Sequence, residues 1–271
     1  MALFVVATPI GNLGDLTERA RRTLAECGGV IAEDTRRSGQ LLHHLGLKKP
    51  LHSLPAFDEA ARAAPLVERL RRGESLALVT DAGTPAVSDP GALLVRLAIL
   101  AGVAVVPIPG PCAAVAAVSA SGFSEPRFHF AGFLPRRGRD RGEMLAELAP
   151  LRAQLVIYES AQRLGRTLLD LLLALGDRPA LVARELTKLH EELARGTLSE
   201  LAAKFSGEVK GEVVIVVSGA PPGKPAIDLE SEVKARLARG ERPRQIADAL
   251  REHGKREVYR LALKEKSKVE S

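Results

Sequence analysis

Three short stretches of this chain place glycine, proline and small polar residues directly after an apolar run, and each could hold a ligand through its backbone. The first is Thr8-Pro9-Ile10-Gly11-Asn12-Leu13-Gly14-Asp15-Leu16-Thr17, which follows Leu3–Ala7. The second is Thr80-Asp81-Ala82-Gly83-Thr84-Pro85-Ala86-Val87-Ser88-Asp89-Pro90-Gly91, after Ser75–Val79. The third, Pro107-Ile108-Pro109-Gly110-Pro111-Cys112-Ala113, ends a run that begins at Val103. Loops at the carboxyl ends of parallel strands are where ligands bind in open α/β sheets. Glycine lets the backbone approach a ligand closely, proline lowers the entropy lost when a loop orders, and free N–H groups at a helix start can meet polar groups. Taken singly, the first and third read as ordinary strand-to-helix corners, while the second is long for such a connection. Together they suit one crevice around a bulky, partly apolar cofactor. The glycine spacing excludes a dinucleotide fingerprint.

Carboxylates and arginines form the other chemical set. Glu33-Asp34-Thr35-Arg36 follows the short run Val30–Ala32, and Arg184-Glu185 follows Ala180–Ala183. A carboxylate here could take a proton as general base, with Asp34 the first choice and Glu33 and Glu185 behind it. Arg36 and Arg184 could hold a phosphate or orient those acids. A structural ion pair at a strand end explains the same residues and stays open. Arg136-Arg137-Gly138-Arg139-Asp140-Arg141 concentrates four arginines in a predicted loop, which suits phosphate contact and also describes a solvated surface. No metal site is expected: Cys27 and Cys112 lack zinc spacing, and the six histidines are scattered.

The elements that must position these residues alternate between strand and helix. Strands are predicted at Leu3–Ala7, Val30–Ala32, Ser75–Val79 and Val103–Pro107, with helices from Thr17 towards Cys27 and over Gln40–Leu45, Glu59–Arg72, Leu93–Ala101 and Cys112–Ala120. That alternation indicates a mostly parallel sheet covered on both faces. A shift to Gly, Ser and Pro near Ser121–Arg127 marks a boundary, giving domains over 1–121 and 122–221. The second half is predicted to carry strands near Phe128–Gly132, Leu155–Tyr158, Ala180–Ala183, Glu191–Ala194 and Glu212–Val217. Its helices fall near Gly142–Leu148, Arg163–Leu175 and Leu198–Phe205. Ala220–Ala226 reads as a linker to a small helical region over 228–271.

Hydrophobic residues make up 46% of the chain and aromatics 3%, so the core is aliphatic and disorder is excluded. The net charge of +6 suits an anionic partner such as RNA without establishing one. No stretch approaches the roughly 20 apolar residues of a membrane span, and Leu3–Ala7 is too short for a signal peptide. With free thiols expected, the reading is a cytoplasmic protein.

These motifs resemble the tetrapyrrole methylase superfamily of S-adenosylmethionine-dependent methyltransferases, and within it the branch that methylates a cytidine 2′-hydroxyl in the decoding region of 16S rRNA. The stretches that carry the likeness are TPIGNLGDLT (8–17), AEDTRRSGQLL (32–42), DAGTPAVSDPG (81–91), PIPGPCAAVAAVSASG (107–122), FAGFLPRR (130–137), YESAQRL (158–164), ARELTK (183–188) and KGEVVIVVSG (210–219). The resemblance implies an α/β, two-domain, class III methyltransferase fold with a small helical C-terminal tail. It also implies S-adenosylmethionine in the cleft between the domains, 16S rRNA in the small ribosomal subunit as partner, and a homodimer. By position it assigns the cofactor to Pro9, to Asp81, Gly83, Thr84, Ala86, Val87 and Ser88, to Cys112 and Ala113, and to Glu159 and Leu186, with only a backbone role for Glu159. It favours RNA contact by Arg36, Arg136, Arg137, Arg139 and Arg141. Ala161, Gln162 and His190 depart from the branch pattern. A small-molecule methylase of the same superfamily, or a non-catalytic RNA-binding scaffold, stays open as an alternative.

Overall fold

The computed structural model describes residues 1–221 and 229–269. Two units are distinguished, 1–220 and 221–271. The first opens with β1 (Leu3–Val6), α1 (Glu18–Glu26), β2 (Gly29–Ala32), α2 (Thr35–His44), β3 (Leu51–Ser53) and α3 (Glu59–Arg71). It continues with β4 (Leu76–Leu78), α4 (Ala92–Leu100), β5 (Val105–Ile108) and α5 (Ala113–Ser119). The five strands form a parallel sheet in the order β3-β2-β4-β1-β5. One face buries Leu3, Ile31, Leu76 and Leu78 under α3 and α4; the other buries Val6, Val30, Ala32 and Ala77 under α1 and α2. Burial on both faces is why these strands read as continuous apolar runs.

Because all five strands run the same way, the loops after β1, β2, β4 and β5 leave from one edge of the sheet. The loop after β4 is fixed at its far end by Glu59 of α3. Its Oε1 accepts from the N–H groups of Gly91, Leu93 and Leu94 at 3.0, 2.9 and 3.2 Å, satisfying the start of α4. Glu59→Ala is therefore expected to cost about 1–2 kcal/mol, as for loss of a helix cap. Urea unfolding measures the loss, and faster amide exchange at Leu93 and Leu94 localises it.

A second sheet follows, from β6 (Phe128–Phe133), α6 (Arg139–Leu148), β7 (Gln154–Ser160), α7 (Leu164–Leu175), β8 (Pro179–Arg184), β9 (Glu192–Thr197), α8 (Leu198–Lys204) and β10 (Glu212–Val217). The order is β6-β7-β10-β8-β9, and only β6 and β7 pair in parallel. Leu155, Ile157, Val182 and Ile215 pack under α6, α7 and α8. Val156, Leu181, Ala183 and Val214 pack against Ala114 and Ala117 of α5. Thus α5 closes the run of the first sheet and covers a face of the second. The crossing segment is pinned where Ser121 Oγ donates to Gln154 Oε1 at 3.0 Å and Gln154 Nε2 donates to the Glu125 carbonyl at 2.9 Å.

Two local features differ from the sequence reading. The strand Leu51–Ser53 is not evident from the sequence, since three residues on a sheet edge carry no period. The helix expected over Gln40–Leu45 begins at Thr35, because the Asp34 side chain caps it by accepting from the Arg36 N–H at 2.9 Å.

In the second unit α9 (Leu229–Ala238), α10 (Pro243–Ala249) and α11 (Lys255–Val269) enclose Val233, Ile246, Ala247, Leu250, Val258 and Ala262. Most of the expected linker Ala220–Ala226, and residue 228 at the start of the expected helical region, lie outside the described residues.

Candidate active site

Three of the loops at the sheet edge are hydrogen-bonded into one wall. Thr8 and Gly83 exchange backbone bonds, N to O at 2.8 Å and O from N at 3.0 Å, while Thr8 Oγ1 donates to the Thr80 carbonyl at 3.0 Å. Thr84 Oγ1 donates to the Pro111 carbonyl at 3.0 Å, joining the second loop to the third. Gly110 allows the third to reach β1: a Cβ there would come within 3.0 Å of the Ala7 Cβ. The second loop turns through left-handed backbone at Ala86 and Ser88, both at φ 65°, on either side of Val87. Such non-glycine conformations cost about 1–3 kcal/mol each and concentrate at ligand sites.

Between this wall and the second sheet lies a cleft of about 390 Å³. From the second loop Asp81, Gly83, Thr84, Val87 and Ser88 line it, and from the third Cys112 and Ala113. Across from them stand Tyr158, Glu159, Ala183 and Leu186, with Phe133 at the end of β6. Tyr158 Oη accepts from the Ala114 N–H at 3.2 Å, and its ring meets Phe130 and Phe133 edge-on at centroid distances of 4.9 and 5.7 Å. Burial, with Cys112 close by, pushes the Tyr158 hydroxyl up to about 12.

Two expected cofactor residues stand outside the lining. Ile10 rather than Pro9 supplies the first loop's contribution, because the paired Thr8 sets which of its successors reaches the cleft. Ala86 is exposed at the turn of the second loop and leaves Val87 to face the cleft. Glu159 lines the cleft, but its carboxylate is bound on the α7 side of the sheet. It accepts from Thr167 Oγ1, the Ser160 N–H and Arg163 Nε, each at 2.7 Å.

Neither of the expected bases, Asp34 and Glu185, lines the cleft. Arg36 Nε and Nη2 hold the two oxygens of Asp34 at 3.1 and 2.8 Å. That pairing, with the cap to the Arg36 N–H, holds the Asp34 carboxyl far below the usual carboxylate range and makes it a poor base. Glu185 is likewise occupied: its Oε1 accepts from Lys188 Nζ at 2.8 Å and the Glu212 N–H at 2.9 Å, which lowers its pKa. A Cβ on Gly211 would fall 2.5 Å from that carboxylate, so the backbone is shaped around it.

Apart from Glu159, the acids that line the cleft are Asp81, Asp89 and Glu212, and Glu212 Oε2 is taken by Lys188 Nζ at 2.7 Å. Asp81 Oδ2 lies 3.4 Å from Arg37, and its Oδ1 is buried without a partner. Burial, reinforced by the Asp81 charge, raises the Asp89 pKa, although Thr80 partly opposes it. Glu33 is raised in the same way by burial and by Asp81, Asp89 and Asp34. The sequence reading passed over Asp89 and Arg37; their signal was position alone, one at the end of the second loop and one beside Arg36.

The arginine run divides. Arg136, Arg137 and Arg139 are exposed, with Arg139 Nε on Glu143 at 2.5 Å. Arg141 is 6% exposed and structural: it donates to Asp170 Oδ2 at 2.8 Å, the Pro135 carbonyl at 2.9 Å and Thr167 Oγ1 at 2.9 Å. Arg36 is exposed but committed to Asp34. Among the described residues no group of three or more metal-ligating side chains is found, and no helix is long and apolar enough to cross a membrane.

With a cleft held between a parallel and a mixed sheet, the chain is an α/β protein of the family of tetrapyrrole (corrin/porphyrin) methylases, whose profile matches residues 2–202. Within that family it is similar to a narrower group. It is 49% identical over 222 residues to "Ribosomal RNA small subunit methyltransferase I" of Xylella fastidiosa, covering 80% of this chain and 81% of that protein. It is 42% identical over 270 residues to the protein of the same name from Synechocystis sp., covering 96% and 97%. The uroporphyrin-III C-methyl transferase of Thermus thermophilus, solved in complex with S-adenyl homocysteine, shares the fold at a TM-score of 0.59 and 20% identity, over 80% of this chain and 97% of that one.

Proposed function

We propose that this chain transfers a methyl group from S-adenosylmethionine to the ribose 2′-hydroxyl of a cytidine in the decoding region of 16S rRNA, acting in the cytoplasm as a homodimer on the small ribosomal subunit. The observation that carries the reading is the similarity to proteins named for small-subunit rRNA methylation, which extends over 96% of the chain and includes the helical unit.

The cleft suits the cofactor by its chemistry. It combines apolar faces from Ile10, Val87, Ala113 and Leu186 with the buried, unpartnered Asp81 Oδ1, an acceptor waiting for a hydroxyl or ammonium donor. S-adenosylmethionine, when bound, supplies an electrophilic methyl group on a sulfonium centre, so no metal is needed for that half of the reaction. The loops after β1, β4 and β5 hold their shape through their mutual hydrogen bonds, which favours the alignment that an in-line displacement needs. Asp89 takes the proton from the acceptor hydroxyl, since its raised pKa makes it the stronger base and it faces the cleft. Arg37 holds the charge of Asp81 next to it, and Arg136 and Arg137 offer guanidinium groups to phosphate.

Incubation with methyl-labelled cofactor and isolated small subunits, followed by nuclease digestion, tests the proposal. Label is expected on a cytidine ribose. Label on a base, on a tetrapyrrole precursor offered in parallel, or on nothing would reject it.

A further inference from the structure

The second unit holds charged groups that the cleft does not use. Over residues 229–269 Lys and Arg number 12 against 7 Asp and Glu. Those on α9 are spent internally: Lys234 pairs with Glu230 at 2.8 Å and lies 3.6 Å from Glu265, and Arg236 pairs with Glu232 and Glu241 at 2.7 and 3.3 Å. On the α10–α11 side the arrangement changes. A short turn ending at Gly254, φ 90°, joins the two helices, and Val233 of α9 packs with both. Two helices joined by a short glycine turn and backed by a third leave one face of α11 exposed.

On α11 the inward stripe is Val258, Ala262 and Glu265, all buried. Helical spacing then puts Arg256, Tyr259, Arg260 and Leu263 on the opposite face. Tyr259 is 41% and Leu263 46% exposed. A groove of about 530 Å³ beside this face is lined by Arg244 and Ala247 of α10 and by Lys255, Arg256 and Tyr259 of α11. Lys255 is paired with Asp248. Among the described residues Arg244, Arg256 and Arg260 make no ion pair within 4.0 Å. Arg244 lies near enough to Asp248 to lower its pKa, but it forms no ion pair with it; guanidinium groups without an ion pair among the described residues, around an exposed tyrosine, fit a ligand with both phosphates and flat rings, which an acidic peptide lacks.

We propose that the α10–α11 face is a second RNA-binding site, in which Arg244, Arg256 and Arg260 hold the phosphate backbone and Tyr259 stacks on an unpaired base. It rests on the reading that the substrate is RNA and deepens it: this face supplies affinity through residues that do not line the cleft, so it acts on KM for RNA and not on kcat.

The test uses the full chain, with fluorescence anisotropy of a labelled small-subunit rRNA fragment titrated across a range of salt concentrations. The R256E/R260E double variant is expected to bind at least tenfold more weakly. Its plot of log affinity against log salt should be shallower by about 1.4–1.8, from two lost phosphate contacts. Y259A is expected to bind about 5- to 150-fold more weakly with the salt slope unchanged, as for loss of one base stack, and Y259F to restore binding. In each variant kcat at saturating RNA and affinity for S-adenosylmethionine stay at the wild-type level, and circular dichroism confirms the fold. Wild-type affinity and salt slope in R256E/R260E, with RNA still bound and methylated by the parent, would overturn this site while leaving the proposed function intact. Loss of binding to assembled subunits with no change on naked RNA would overturn it too, since the face would then contact protein. Absence of RNA binding by the parent chain would overturn both.

Discussion

Asp89→Asn is expected to lower kcat for RNA methylation by about 10²–10⁴-fold, the range over which a positioned base contributes, with S-adenosylmethionine affinity near that of the parent. Asn keeps the size and loses the proton acceptor. The pH profile gives a second readout. A base must be ionised to act, so turnover falls as pH drops through its pKa. Burial places that limb for Asp89 above the ordinary aspartate value of 3.8. The limb should disappear from whatever activity D89N retains. Asp34→Asn is the control: Asn can still cap α2, and Asp34 is outside the cleft, so turnover should change little. Steady-state rates from pH 5 to about 9 on both variants decide between them. Activity lost in D34N and kept in D89N would return the base to Asp34.

Arg141→Met is expected to cost about 3 kcal/mol of stability, because breaking a buried ion pair leaves its partners without compensation. Arg141 Nε meets Asp170, its Nη1 the Pro135 carbonyl, and its Nη2 the Thr167 hydroxyl, which in turn donates to Glu159. Arg163 closes the chain on the other side of Glu159 at 2.6 Å. The network ties α6, β7 and α7 together behind the cleft wall. Methionine keeps the aliphatic stem and removes every donor. Urea unfolding should show a lower midpoint with an unchanged slope, while RNA affinity per folded molecule is preserved. A normal midpoint with weakened RNA binding would instead restore the surface role that the arginine run implied.

The same contrast runs through the chain. The apolar runs at residues 3–6, 29–32, 76–78 and 105–108 announced buried strands because both faces of a parallel sheet are covered, and the glycine and proline between them marked the loops that form the cleft wall. Recurring apolar spacing likewise made most helices legible, and Thr17, whose Oγ1 accepts from the Ala20 N–H at 3.1 Å, marked the start of α1. The antiparallel pairing of β10 between β7 and β8 was not legible, since an apolar run such as Val213–Val217 looks the same in either direction. Nor was the difference between Asp34 and Asp89. Both follow strands and both are aspartates, but one finds an arginine two residues on and the other sits half-buried at the cleft within reach of the Asp81 charge. The four arginines at 136–141 are alike as letters; only the packing of α6 on α7 puts one of them inside. Residue types and their periods are local properties, and they determined the elements and the loops that carry the site. Which charge is paired, buried or free depends on segments dozens of residues away, and only the tertiary structure decided that.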